Sequence, residues 1–97
     1  MLLDNNYVSN MIVNKNDNKY IYTIVGKNIR RIRKEKGLTQ SELADLIHYN
    51  VGTISNIENS SFQTFSLEFI YIISKELNIP LDEFFIETKE DTNKVSS

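Results

Sequence analysis

The run Gly37-Leu38-Thr39-Gln40-Ser41-Glu42 constrains this chain more than any other stretch, because it ends one helix and begins the next. Glycine enters the left-handed conformation that closes a helix without a Cβ penalty. Thr39 and Glu42 then have the spacing of a capping box, in which a hydroxyl and a carboxylate each accept a hydrogen bond from a backbone amide that has no partner in the first helical turn. A helix therefore starts at Gln40. Leu43, Ala44 and Ile47 form its apolar face, so it runs about two turns before His48-Tyr49-Asn50 interrupts it. Asn50 is a good N-cap for a further short helix over residues 51–58. There Ile54 and Ile57 point inward, whereas Gly52, Thr53, Ser55 and Asn56 make a polar, uncharged outer face.

On either side the pattern remains helical. Residues 24–36 carry Val25, Ile29 and Ile32 on one stripe, with Lys27, Arg30, Arg31 and Lys34 mostly off it and Thr23 as N-cap. Residues 59–64 read as a loop, and Ser66 caps a fourth helix running from Leu67 to about Asn78. Leu67, Ile70, Ile73 and Leu77 give that helix an inner face. Phe69, Tyr71 and Ile72 add surplus apolar surface, suited to covering the N-terminal segment or to a dimer contact. Pro80 opens a fifth helix, with Asp82 and Glu83 near its positive end and Leu81, Phe84 and Phe85 inward. The expected fold is all-α: a five-helix domain over residues 23–86, an N-terminal extension over 1–22 and a disordered tail over 87–97. In the extension, Tyr7-Val8, Met11-Ile12-Val13 and Tyr20-Ile21-Tyr22 flank a turn-rich stretch at Asn16-Asp17-Asn18, which suits either a short β-hairpin or a flexible arm.

Composition narrows the function. The 97 residues suffice for one domain, and 40% hydrophobic with 25% charged residues is an ordinary folding composition. Cysteine is absent, which removes disulfides, thiolate catalysis and thiolate zinc sites and favours a cytoplasmic home. No signal peptide or membrane span is expected. The net charge is −2, yet residues 26–61 hold six basic against four acidic residues, while residues 62–97 hold three against seven. A basic middle beside an acidic end turns one face toward a polyanion. Gly26, Gly37 and Gly52 are too scattered for a phosphate loop, no nucleophile motif surrounds a serine, and His48 has no ligand partners. No catalysis, cofactor or metal is expected.

The two short helices and their three-residue turn have the dimensions of a helix-turn-helix. The segments Gly37-Leu38-Thr39-Gln40-Ser41-Glu42-Leu43-Ala44, Thr53-Ile54-Ser55-Asn56-Ile57-Glu58-Asn59 and Leu77-Asn78-Ile79-Pro80-Leu81-Asp82-Glu83-Phe84-Phe85 resemble, in order and spacing, the lambda-repressor and Cro-like family, also called the XRE family. The resemblance covers roughly residues 24–86. It implies a transcriptional regulator, usually a repressor, that binds palindromic operator DNA as a homodimer with the third helix in the major groove.

Carried over by residue, the resemblance puts the exposed amide of Gln40 on a DNA phosphate. It puts Asn50, Val51, Gly52, Thr53, Ser55 and Asn56 at bases or flanking phosphates, and Asn59 near the backbone. It also implies a partly buried Arg33–Glu58 ion pair joining the first helix to the third. Asparagine bonds adenine in a bidentate way, and Thr and Val methyl groups suit thymine, so this set favours A and T. The chain departs from the family pattern at His48, which stands where a turn glycine is usual, at Gly52 inside the recognition helix, and at Phe65, where proline is common. Residues 45–58 also contain no Arg or Lys. Two further readings follow from these departures and the acidic end: an antitoxin or mobile-element controller that binds a protein partner as well as DNA, and a protein-interaction module without DNA binding.

Overall fold

The computed structural model describes residues 17–59 and 63–87. Within them the chain forms α1 (Tyr20–Glu35), α2 (Gln40–Ile47), α3 (Val51–Glu58), α4 (Leu67–Leu77) and a closing 3-10 helix (Leu81–Phe85), with no strand among the described residues. Helix α1 packs on α3 and on the 3-10 helix, α2 packs on α3 and α4, and α4 packs on the 3-10 helix. One core joins Val25, Ile29 and Ile32 to Leu43 and Ile47, to Ile54 and Ile57, to Phe69, Ile70 and Ile73, and to Phe84. The all-α expectation holds, and no described helix is long and apolar enough to cross a membrane.

Local chemistry sets the boundaries. Gly37 ends α1 at φ +76°. The capping box is complete: the Glu42 amide donates to Thr39 Oγ1 at 3.0 Å and the Thr39 amide to Glu42 Oε1 at 2.8 Å. Asn50 Oδ1 accepts from the Gly52 amide at 2.7 Å, and Ser66 Oγ from the Phe69 amide at 3.1 Å. Asn78 closes α4 in the left-handed region at φ 56°.

Several expectations need correction. Helix α1 begins at Tyr20, after Lys19, so Thr23 lies in its first turns and is not its cap. The reason is tertiary: Ile21 extends the apolar stripe of α1 by one turn, and Tyr22 meets Phe65 edge to face at 4.9 Å. Packing of this kind overrides the β-propensity of Tyr20-Ile21-Tyr22, so this half of the expected hairpin is helical. Its other half, and the tail over residues 88–97, lie outside the described residues. Phe69 is not surplus surface but core, because it receives Phe65 on one side and Tyr49 on the other. Ile72 is half-buried against the core, which leaves Tyr71 exposed, and Leu67, expected on the inner face of α4, is instead exposed at its first position while Phe69 takes the inward place. The fifth helix is 3-10, and its Leu81 points outward while Phe84 fills the core.

Candidate nucleic-acid interface

Helix α3 is positioned by what it buries. Ile54, Ile57 and Glu58 are buried, which turns Gly52, Ser55, Asn56 and Asn59 to the opposite side, with Val51 and Thr53 on the flanks. Val51, Gly52, Asn56 and Asn59 are exposed, and Thr53 and Ser55 are half-buried. The face is small, polar and uncharged. Asn59 Nδ2 donates to Ser55 Oγ at 3.3 Å, so two side chains of the expected set are already joined.

The turn into α3 is tight. His48 takes φ 62° and ψ 44°, the conformation its place in the turn demands. The Tyr49 amide donates to the Ala44 carbonyl at 2.8 Å, closing α2 behind it. Asn50 is exposed, but its carbonyl oxygen is occupied as the cap of α3. Gly52 leaves room for that cap, since a Cβ there would come within 2.9 Å of Asn50 Oδ1.

Behind the face lies a buried ionic clamp. Arg33 Nε meets Glu58 Oε2 at 2.7 Å and Nη2 meets Oε1 at 2.9 Å, a two-point contact that fixes α1 against α3. Arg33 Nη1 also donates to the Leu38 carbonyl at 2.6 Å, tying in the loop before α2. Gln40 Nε2 donates to Glu58 Oε1 at 3.0 Å, so Gln40 is half-buried and its amide is not free as expected. The first residue of α2 thus donates to the carboxylate of the last residue of α3, joining the two helices directly.

A second polar cluster escaped sequence reasoning. Asn28 is buried and its Nδ2 donates to the carbonyls of Phe84 at 3.0 Å and Ile86 at 2.7 Å. Arg31 Nη2 donates to Asn28 Oδ1 at 3.1 Å, and its guanidinium stands 3.9 Å from Glu83 Oε1. Arg31 is thus committed to the closing 3-10 helix, while Arg30 and Lys34 remain exposed. The signal was present: Asn28 sits beside Ile29 on the apolar side of α1, where a polar side chain needs a partner. Gly26 was equally informative, since a Cβ there would overlap the carbonyl oxygen of Ile57. Glycine lets the backbones of α1 and α3 touch.

The comparisons with known proteins agree with this geometry. A helix-turn-helix family model matches residues 29–84. A relative, the competence pilus inhibition repressor of Acinetobacter baylyi, is 31% identical over 70 residues, which are 72% of this chain and 63% of that protein. The chain thus matches less than two thirds of that relative's length. With two capped short helices, a tight turn and a polar helix face held from behind by a carboxylate–guanidinium pair, the chain belongs to the XRE family of helix-turn-helix DNA-binding transcription regulators.

Proposed function

We propose that the protein is a sequence-specific repressor that binds a palindromic operator as a homodimer, with α3 in the major groove. The observation that carries this reading is the outward face of α3, where Gly52, Ser55, Asn56 and Asn59 project from a helix held in place through Glu58. Asn56 reads adenine, the methyl groups of Val51 and Thr53 meet thymine methyls, and Ser55 adapts to either neighbour. Gln40 and Asn59 contact phosphates at the two ends, with Asn50 and Gly52 allowing close approach of the backbone. Repression is supported by the name of the relative from Acinetobacter baylyi. The exposed apolar side chains of Tyr71 and Leu81 are the two-fold contact.

Selection of bound fragments from genomic DNA at about 0.15 M salt tests the reading. The expected product is an A/T-rich palindrome with half-sites about one helical turn apart, roughly 34 Å. Failure to enrich any sequence overturns it. One observation favours a second reading in that event: residues 45–58 carry no Arg or Lys, and the uncharged outward face of α3 suits a protein-interaction module or an antitoxin-like dual binder.

A further inference from the structure

Between the first turns of α1 and the start of α4 lies an apolar groove of about 190 Å³, lined by Ile21, Tyr22, Phe65, Leu67, Ile70 and Phe85 among others. Phe65 meets Tyr22 edge to face at 4.9 Å and leans on Phe69 at 5.3 Å, so the aromatic wall is already built before anything enters. At its rim Leu67 is 68% exposed, a large apolar side chain that neither the core nor a cap requires in the open. None of these lining residues is among those proposed to contact DNA.

We propose that this groove is the docking site of residues 7–13 of the same chain, Tyr7-Val8-Ser9-Asn10-Met11-Ile12-Val13. Three observations select that occupant. Half of residues 1–16 are apolar, a composition that has something to gain from burial. The chain also turns just ahead of the groove: the Lys19 amide donates to Asp17 Oδ1 at 3.0 Å and the Tyr20 amide to the Asp17 carbonyl at 3.0 Å, after which Ile21 and Tyr22 become part of its wall. Finally, the tether is short. Val13 is four residues from Asp17, at most about 14 Å of extended chain, so the segment meets the groove at an effective concentration in the millimolar range. A second copy at micromolar concentration competes poorly with that. The docked segment closes the apolar seam between α1 and α4 and gives Leu67 and Phe65 a cover.

The inference is separate from the DNA-binding reading, because its readouts need no nucleic acid. The absence of cysteine allows a single reporter thiol: Leu67→Cys in the full chain, alkylated by a maleimide under native conditions, with circular dichroism confirming the helices. Adding Met11→Asp and Ile12→Asp should raise the alkylation rate about tenfold or more, equally at low and high protein concentration. In the converse experiment, Leu67→Asp should accelerate amide exchange of residues 7–13 by a similar factor. Equal alkylation rates with and without the aspartates overturn the proposal. So does protection that disappears on dilution, which would put a second copy in the groove.

Discussion

Arg33 and Glu58, 25 residues apart in sequence, meet through two parallel hydrogen bonds of 2.7 and 2.9 Å inside the domain, and each carries a further bond to a different element. Arg33 reaches the Leu38 carbonyl and Glu58 receives Gln40, so four points of the helix-turn-helix hang on one ion pair. Removing one member leaves the other charged and buried. Arg33→Ala or Glu58→Ala should each destabilise the fold by about 3–5 kcal/mol, and the double variant should cost clearly less than the sum. Urea unfolding of the four proteins measures this. Additive losses would show that the two groups are not coupled.

Gly26 is where α1 and α3 touch. Alanine favours a helix interior by about 1 kcal/mol over glycine, so an unconstrained site would gain stability on substitution. Here the added methyl group meets the Ile57 carbonyl, which belongs to backbone and cannot rotate away. Gly26→Ala should therefore lose about 1–3 kcal/mol, read as a lower thermal midpoint. A rise in the midpoint would mean that α1 and α3 can separate freely.

His48 gives the opposite expectation. Its φ of 62° costs a side-chain-bearing residue about 1–2 kcal/mol, partly offset by the greater entropy that glycine loses on folding. His48→Gly should stabilise the domain by about 0.5–1 kcal/mol in urea titrations. A loss would show that the imidazole makes a contact that outweighs the strain.

Asn56 and Gln40 separate reading from anchoring. Asn56→Ala should cost about 1–3 kcal/mol on the selected operator and relax preference at one base pair. Gln40→Ala should weaken binding to all sequences, with part of the loss arising because Glu58 loses a donor. Band-shift titrations on operator and scrambled DNA distinguish them, and equal effects of both variants on both DNAs would refute the assignment. The free cations are few, since Arg31 is held by Asn28 and Glu83, so the salt dependence should be shallow at about −0.9 per phosphate neutralised.

Tyr71 is 52% exposed on α4, and a carboxylate in its place should not disturb the core. Tyr71→Glu should give a folded monomer in sedimentation. A dimer that persists would move the two-fold contact to another surface.

What the chain declares in advance is mostly short-range. Thr39 with Glu42, Asn50, Ser66 and Gly37 each announce a helix end through a hydrogen bond or a backbone conformation spanning a few residues, and every one of those ends stands as read. The apolar faces of α2 and α3 follow from the period of Leu43, Ile47, Ile54 and Ile57. What stayed hidden depends on distant partners. Tyr20-Ile21-Tyr22 reads as a strand until Phe65 is known to lie beside Tyr22, and Phe69 looks superfluous until Tyr49 and Phe65 close over it. The buried amide of Asn28 likewise makes sense only through carbonyls 56 and 58 residues away. The outward face of α3 was legible because it is the complement of a short apolar period. The attachment of Gln40 to Glu58 was not, since 18 residues separate them.

The Tyr20 hydroxyl donates to Glu87 Oε2 at 2.6 Å, joining the first residue of α1 to the last residue described. Together with the grip of Asn28 on Ile86, this makes the folded domain nearly a closed ring, its entry and exit lying side by side. Proteins whose ends meet in this way tolerate being cut elsewhere and rejoined at the old ends. A circular permutant opened between α3 and α4, with residues 20 and 87 bridged by a short glycine-serine linker, should keep the helix-turn-helix intact. The same adjacency means that whatever is joined directly to residue 20 or to residue 87 leaves the domain from one place.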